Sequence, residues 1–171
     1  MAEYKLTERF KDTQNEFDLP VIQTVSFGNG KAYFVEKNGI PYLKAETDSV
    51  SEYFDKACIF GKYLCMGVGC KVIFVNLETL GSLSREVSDY FGYFFIHDEK
   101  LYIASGRGIT ALDSSLHLLW CNENLAIDGV IIHEVTEDGK YLRVSCEMNP
   151  PGDWCEKLVS LANGECSLDK I

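Results

Sequence analysis

Lys31-Ala32-Tyr33-Phe34-Val35 is the first of four copies of a short strand pattern in this chain. The pattern returns as Lys62-Tyr63-Leu64-Cys65-Met66, Lys100-Leu101-Tyr102-Ile103-Ala104 and Lys140-Tyr141-Leu142-Arg143-Val144. Self-similar segments at such a period indicate stacked β-units. The side chains two and four places after each lysine are apolar, and they share one face because side chains alternate along a strand. That face is predicted to be the core.

Turn residues separate the strands at regular intervals. Asn29-Gly30 and Asn38-Gly39 predict hairpins, because both residue types tolerate positive φ. Gly67-Val68-Gly69 and Gly106-Arg107-Gly108 occupy the matching turn in later units. We interpret them as hairpin turns, since neither opens a helix as phosphate-binding loops require. Arg107 is then exposed at a hairpin tip and can contact a partner.

This organisation predicts an all-β fold of antiparallel meander repeats, arranged as a small or partial β-propeller-like array. The alternative is a β-sandwich of two sheets packed face to face. Residues 1–20 are predicted to be a polar lead-in, and residues 21–171 a single repeat domain of about four hairpin units.

One unit carries a longer motif. It contains Gly108, then Ala111-Leu112-Asp113 at the end of a predicted strand, and Trp120 closing the next strand. This segment resembles a repeat of the quinoprotein-type β-propeller family, and the other units match it only at the leucine and the turn. The resemblance implies blade-like four-stranded antiparallel sheets. It implies no cofactor, because the quinone-binding members need a larger ring of blades, and it points to the non-catalytic scaffold members.

The charge of the chain restricts its partners. Among 171 residues, 26 are acidic and 16 are basic, which gives a formal net charge of -10. This charge repels the phosphates of nucleic acids and raises the encounter rate with a basic protein. The first residues contain no apolar signal segment, and no apolar run is long enough to span a membrane. We therefore expect a cytoplasmic protein whose seven cysteines are reduced, with no membrane partner.

The pattern of potential ligands and nucleophiles predicts no metal, no cofactor and no catalytic residue. The cysteines lack the paired spacing of zinc ligands. No motif connects a cysteine with His97, His117 or His133, which we interpret as surface or hydrogen-bonded histidines.

The loop Asn149-Pro150-Pro151-Gly152-Asp153 interrupts the fourth unit and is the strongest candidate for a binding site. Insertions in repeats map to loops that often form the binding face. Trp154, which follows Asp153, belongs to a residue type that is enriched at binding hot spots. The alternative is that its ring folds back onto the sheet. Acidic clusters at hairpin ends offer a patch for a basic partner; they are Asp98 with Glu99, Glu134 with Glu137 and Asp138, and Glu46 with Asp48.

These features predict a non-catalytic protein-binding module. One specific form is an acidic inhibitor or immunity protein that masks a basic toxin domain. The candidate partner-binding residues are Trp154, Asp153, Arg107, Asp98, Glu99, Glu137 and Asp138. One alternative is a small-molecule or carbohydrate binder or hydrolase with a pocket between β-units, for which Asp153 with Trp154, or Asp128 near Tyr102, are candidates. Another alternative is a structural subunit that completes its ring by oligomerising.

Overall fold

The computed structural model describes residues 2–7, 23–48, 54 and 56–167, and the regular elements within them are all β-strands. The strands are β1 (Tyr4–Thr7), β2 (Gln23–Phe27), β3 (Lys31–Lys37), β4 (Ile40–Thr47), β5 (Lys56–Phe60), β6 (Tyr63–Val68), β7 (Lys71–Asn76), β8 (Ser82–Glu86), β9 (Phe91–His97), β10 (Lys100–Ser105), β11 (Ile109–Leu112), β12 (Leu118–Asn122), β13 (Val130–Val135), β14 (Tyr141–Glu147) and β15 (Trp154–Ser160). The predicted all-β fold is confirmed.

The strands form four sheets, in agreement with the predicted number of units. The orders are β1-β3-β4-β2, β5-β6-β7-β8, β12-β11-β10-β9 and β13-β14-β15. Strands joined by hairpins are antiparallel, as predicted, but β2 pairs in parallel with β4. The cause is the chain order, because β2 precedes the β3–β4 hairpin, whereas β8 and β12 follow their hairpins. In the predicted lead-in, β1 pairs with β3, and residues 8–20 lie outside the described residues.

The chain divides into two compact units, Met1–Gly69 with Ile73–Ser84, and Cys70–Val72 with Arg85–Ile171. Each unit has a core built from the repeated strand pattern. In the first unit the core includes Tyr33, Val35, Leu64 and Met66. In the second unit it includes Tyr102, Ala104, Leu142 and Val144. All of the apolar positions predicted from the repeat are therefore buried.

The residue between the two core residues of each copy differs in burial from one copy to the next. Cys65 and Ile103 are fully buried, so β6 and β10 are covered on both faces. Phe34 and Arg143 are only half-buried, so β3 and β14 have one solvent-facing side. On that side of the fourth sheet Arg143 pairs with Glu134 at 3.2 Å. A polar outer face is typical of the terminal units of a repeat array.

Candidate functional site

The loops of the second unit lie at two ends of its strands, which we call the tryptophan end and the turn end. The tryptophan end holds the β10–β11 turn, the segment before β13 and the β14–β15 loop. The turn end holds the β9–β10 and β13–β14 turns. A strand of seven residues such as β9 separates the two ends by about 20 Å. Three predicted partner-binding residues lie at the tryptophan end: Arg107, Asp153 and Trp154. Four lie at the turn end: Asp98, Glu99, Glu137 and Asp138.

Trp154 is the first residue of β15, and it is 48% exposed. One edge of its ring lies against Gly129, since a methyl group placed there would be 3.1 Å from the indole Cη2. Gly129 has a φ of 113°, a conformation that favours glycine, and its amide donates to the carbonyl of Gly106. The indole is thus partly docked on the backbone and partly open to solvent, which combines the two alternatives that the sequence left open.

Two further exposed apolar side chains lie on the same loops. Ile127 is 56% exposed and Met148 is 37% exposed. The amide of Ile127 donates to the carbonyl of Glu147 at 2.9 Å, and the amide of Met148 donates to the carbonyl of Asp153 at 3.2 Å. Glu147 is also the residue directly opposite Trp154 in the β14–β15 register. Backbone hydrogen bonds therefore bring the three residues to neighbouring loops, and the Sδ of Met148 lies 3.5 Å from Lys157 Nζ.

Several carboxylates lie on the same loops, and hydrogen bonds fix three of them. Glu147 Oε1 accepts from the amide of Gly152 at 2.5 Å, and Asp153 Oδ2 accepts from Asn149 Nδ2 at 3.0 Å. Asp128 accepts from the hydroxyl of Tyr90. We call this set the Trp154 surface; it consists of Ile127, Met148 and Trp154 with Asp89, Asp128, Glu147 and Asp153.

Tyr90 lies at the border of the Trp154 surface and acts as a hydrogen-bond donor. Burial raises the pKa of its hydroxyl well above the ordinary value, and the bond to Asp128 and the charge of that carboxylate raise it further. The charges of Glu147 and Asp89 act in the same direction. The phenol therefore stays protonated at neutral pH, and the negative charge of the surface stays on its carboxylates.

Arg107 is exposed at the hairpin tip, as predicted, with 51% of its side chain accessible. Its Nε lies 3.9 Å from Asp89 Oδ2, which is a long and solvated pair. Its backbone has a second role, because its carbonyl accepts from the amides of Leu125 and Ala126 at 3.1 Å. Arg107 therefore positions the segment that carries Ile127 and Asp128.

The predicted acidic residues of the turn end do not join the Trp154 surface. Asp138 accepts from the Thr136 hydroxyl at 2.7 Å and from the Lys140 amide at 3.1 Å. These bonds lower the pKa of Asp138, and the bond from Thr136 has the largest effect. They make Asp138 a turn-forming residue. Asp98 lies 3.2 Å from His97 Nε2, and Glu99 and Glu137 are exposed.

The histidines behave as the sequence predicted, since each has a polar partner. His97 pairs with Asp98 at 3.2 Å, and His117 pairs with Asp113 at 3.2 Å. His133 Nε2 lies 2.7 Å from Ser145 Oγ, a pair that the sequence analysis missed. This pair is exposed, and no described residue bonds its other ring nitrogen, so it lacks the third group that orients a catalytic base.

The described residues include no group of three His, Cys, Asp or Glu side chains placed to hold a metal ion. All seven cysteines are free thiols. Burial raises the pKa of Cys146 to about 12 and raises that of Cys65 well above its ordinary value, so both stay protonated. Within the part of the chain that the structure covers, no helix is long and apolar enough to cross a membrane.

No protein-family model matches this sequence, and no curated protein matches it. Several solved structures match in fold, including the following two. Hydrazine synthase from Kuenenia stuttgartiensis matches with a TM-score of 0.50 and 14% identity, over 89% of this chain and 49% of that chain. BamB from Moraxella catarrhalis matches with a TM-score of 0.52 and 11% identity, over 96% of this chain and 49% of that chain. Both are β-propeller proteins, so the predicted propeller-like all-β array is confirmed. This chain spans about half the length of each.

Proposed function

We propose that this chain is a non-catalytic protein-binding module that contacts a basic partner through the Trp154 surface. The observation that carries the proposal is the half-exposed indole of Trp154, on loops that also present exposed Ile127 and Met148 and several carboxylates. An aromatic anchor at the centre of an interface supplies much of the binding energy when it is desolvated. The surrounding carboxylates select a partner of opposite charge and increase its association rate.

The Trp154 surface suits rigid docking. Its loops are tied to one another by backbone hydrogen bonds, from Gly129 to Gly106 and from Ile127 to Glu147. Its carboxylates accept hydrogen bonds from neighbouring residues before any partner arrives. A surface that is ordered before binding loses less conformational entropy in the complex. Met148 adds a flexible side chain that adapts to a partner's contours.

A specific form of this function is an acidic inhibitor, such as an immunity protein that masks a basic toxin domain. The net charge of -10 supports a basic partner and disfavours nucleic acid and anionic membranes. The free thiols are consistent with our placement of the protein in the reducing cytoplasm.

We further propose that the repeats are degenerate relatives of quinoprotein-type propeller blades. Each residue of the matching motif has a structural role. Ala111 and Leu112 are fully buried, and Asp113 accepts from the amides of Ser115 at 2.8 Å and His117 at 2.9 Å. Trp120 Nε1 donates to the carbonyl of Leu161 at 3.0 Å. These roles concern packing and turn formation, which favours a scaffold rather than a cofactor-binding member.

The test is to capture the partner from the native cell with the immobilised full chain and to measure its affinity in solution. Trp154→Ala is expected to weaken binding by about tenfold or more, as a hot-spot residue does. Leu118→Ala is the matched control, because Leu118 is 50% exposed on β12, outside the Trp154 surface. Binding of the wild-type chain should also weaken as salt rises from about 0.05 to 0.5 M.

Glu147→Gln separates charge from shape, since the amide oxygen can still accept from Gly152. It is expected to slow association and to reduce the salt dependence, with little change in protein stability. The proposal fails if no basic protein is captured. It also fails if the affinity is insensitive to salt, or if the Trp154 and Leu118 variants bind equally well.

A further inference from the structure

A groove at the turn end of the second unit lies apart from the Trp154 surface. Its volume is about 380 Å³, which falls in the range of small-molecule sites. Its lining combines charged side chains with an apolar wall, and includes Lys100, Lys140, Asp98, Tyr102, Tyr141 and Leu161. The sequence pattern predicted that Tyr102 lies in the core, and it suggested Asp128 as a neighbour of Tyr102. Asp128 bonds Tyr90 at the tryptophan end instead, and the acidic residue that acts on Tyr102 is Asp98.

The second feature of the groove is the hydroxyl of Tyr102. Tyr102 is 0% exposed, and its hydroxyl has no hydrogen-bond partner among the described residues. Its ring is held between Phe95, at 6.2 Å between centroids, and Trp120, at 5.9 Å. A buried polar group without a partner is unfavourable, and a ligand oxygen would satisfy it once the side chains that cover it in the unliganded protein move aside.

The charges of the groove specify the chemistry of that ligand. Lys100 forms no ion pair within the described part of the chain, and Lys140 has only a long contact of 3.7 Å to Asp138. Asp98 is the one carboxylate among the lining residues, and it lies beside His97. Burial, and then the charge of Asp98, raise the pKa of Tyr102 to about 12, so its hydroxyl is a donor at neutral pH. The groove is thus lined by two lysines, a phenol donor and one carboxylate, and the excess of cationic groups suits an anion.

We infer that this groove binds a small organic anion, with a carboxylate or phosphate between Lys100 and Lys140 and one oxygen bonded to the hydroxyl of Tyr102. Leu161 and Tyr141 then contact the apolar part of the ligand. This site goes beyond the proposed protein-binding function, since it lies at the other end of the strands. It also gives the small-molecule alternative from the sequence a definite location and a chemical class.

The experiment measures binding of defined probes to the full chain by isothermal titration calorimetry. Inorganic phosphate and glucose 6-phosphate test the phosphate source, benzoate tests the carboxylate source, and glucose is the uncharged control. At least one anionic probe is expected to bind with a Kd of about 1 mM or below, and to raise the melting temperature. Glucose is expected not to bind, because it lacks the charge that the lysines require.

Two variants test the residues. Tyr102→Phe removes only the hydroxyl, so it should weaken probe binding about tenfold while leaving the melting temperature of the free protein equal or higher. Lys100→Ala should weaken binding by a similar factor, whereas Lys62→Ala, on the first unit, should not. Trp154→Ala should also leave probe binding unchanged, so this result is independent of the protein partner.

The inference is overturned if no anionic probe binds or if glucose binds as tightly as glucose 6-phosphate. It is also overturned if both Tyr102→Phe and Lys100→Ala bind like the wild type. A lower melting temperature of free Tyr102→Phe would show that the hydroxyl is already bonded in the unliganded protein, and would remove its role as a ligand donor.

Discussion

Replacement of Gly108 by alanine tests the close approach of β11 and β12. A methyl group at Gly108 would lie 2.7 Å from the Cα of Glu123 and 2.8 Å from the carbonyl carbon of Asn122. Both neighbours are backbone atoms, so no side-chain rotation can make room. The φ of Gly108 lies outside the left-handed region, and alanine can adopt it without strain. The cost of the substitution is therefore steric.

The structure sets the size of that cost. The nearest atom to that methyl group is the carbonyl oxygen of Asn122, which lies far inside the ordinary contact distance of about 3.4 Å, so the end of β12 must move by more than about 1 Å. A shift of about 1 Å lengthens a hydrogen bond of about 2.9 Å to about 3.9 Å, which no longer counts as a bond. The bonds at risk include the one from the side-chain Nδ2 of Asn122 to the Gly164 carbonyl, at 2.7 Å, and those of the neighbouring Ile109–Asn122 register. Loss of two to four bonds costs about 2–4 kcal/mol.

The assay is thermal and urea unfolding followed by far-UV circular dichroism. For a chain of this length, the expected loss lowers the melting temperature by roughly 4–16 °C. Gly81→Ala is the matched control. Its φ is also ordinary, and its methyl group would meet only Thr79 Oγ1, at 3.4 Å. It should be neutral or stabilise by about 0.4–1 kcal/mol, because alanine restricts the unfolded chain. If Gly108→Ala melts at or above the wild-type temperature, the described approach of β11 to β12 is wrong.

Three further predictions concern the second unit and the thiols. Gly129→Ala should move the ring of Trp154 and shift its fluorescence to longer wavelength, whereas Gly139→Ala, also at positive φ but with open space around it, should not; equal spectra would contradict the docking of the indole. The hydrogen bond from the amide of His117 is the largest of the interactions that lower the pKa of Asp113. This carboxylate therefore stabilises the fold above its unfolded pKa of about 3.9, and the stabilisation is lost as pH falls through the lower folded pKa. Asp113→Ala should therefore reduce the acid dependence of stability measured by circular dichroism, and an unchanged acid titration would argue against the turn. In titration with a thiol reagent, the three exposed cysteines should react in the folded protein and the two buried ones only on unfolding; the exposed set is Cys70, Cys121 and Cys166, and the buried set is Cys65 and Cys146.

The repeat predicted the core because strand geometry alone determines which side chains share a face. Tyr33 and Leu142 are far apart in sequence, yet both occupy the same place in the pattern, and both are buried. The turns were also predictable, since their chemistry is local. Asp113 bonds amides within four residues of itself. The parallel pairing of β2 with β4 was not predictable, because it depends on which side of its hairpin the edge strand lies in the chain.

The Trp154 surface was predicted only in part, for a different physical reason. The loop before Trp154 was visible as a break in the repeat, but Ile127 and Tyr90 reach it through the packing of one sheet on another. No local sequence pattern specifies which residues of one sheet come close to those of another. The groove shows the same limit, because an apolar-strand pattern places the ring of Tyr102 in the core without specifying whether its hydroxyl finds a partner.

The residues of the motif around Trp120 pack neighbouring repeats together, and the proposed binding sites use other residues. Gly164 has a φ of 74°, and a methyl group there would lie 2.8 Å from the indole Cδ2 of Trp120. The indole also donates to Leu161, so Trp120 joins the third sheet to the end of the fourth repeat unit. The motif residues are thus occupied with holding neighbouring repeats together. A binding site must then use residues that depart from the repeat, and both proposed sites do so: one through the loop before Trp154, the other through the hydroxyl of Tyr102, where the repeat requires only an apolar ring.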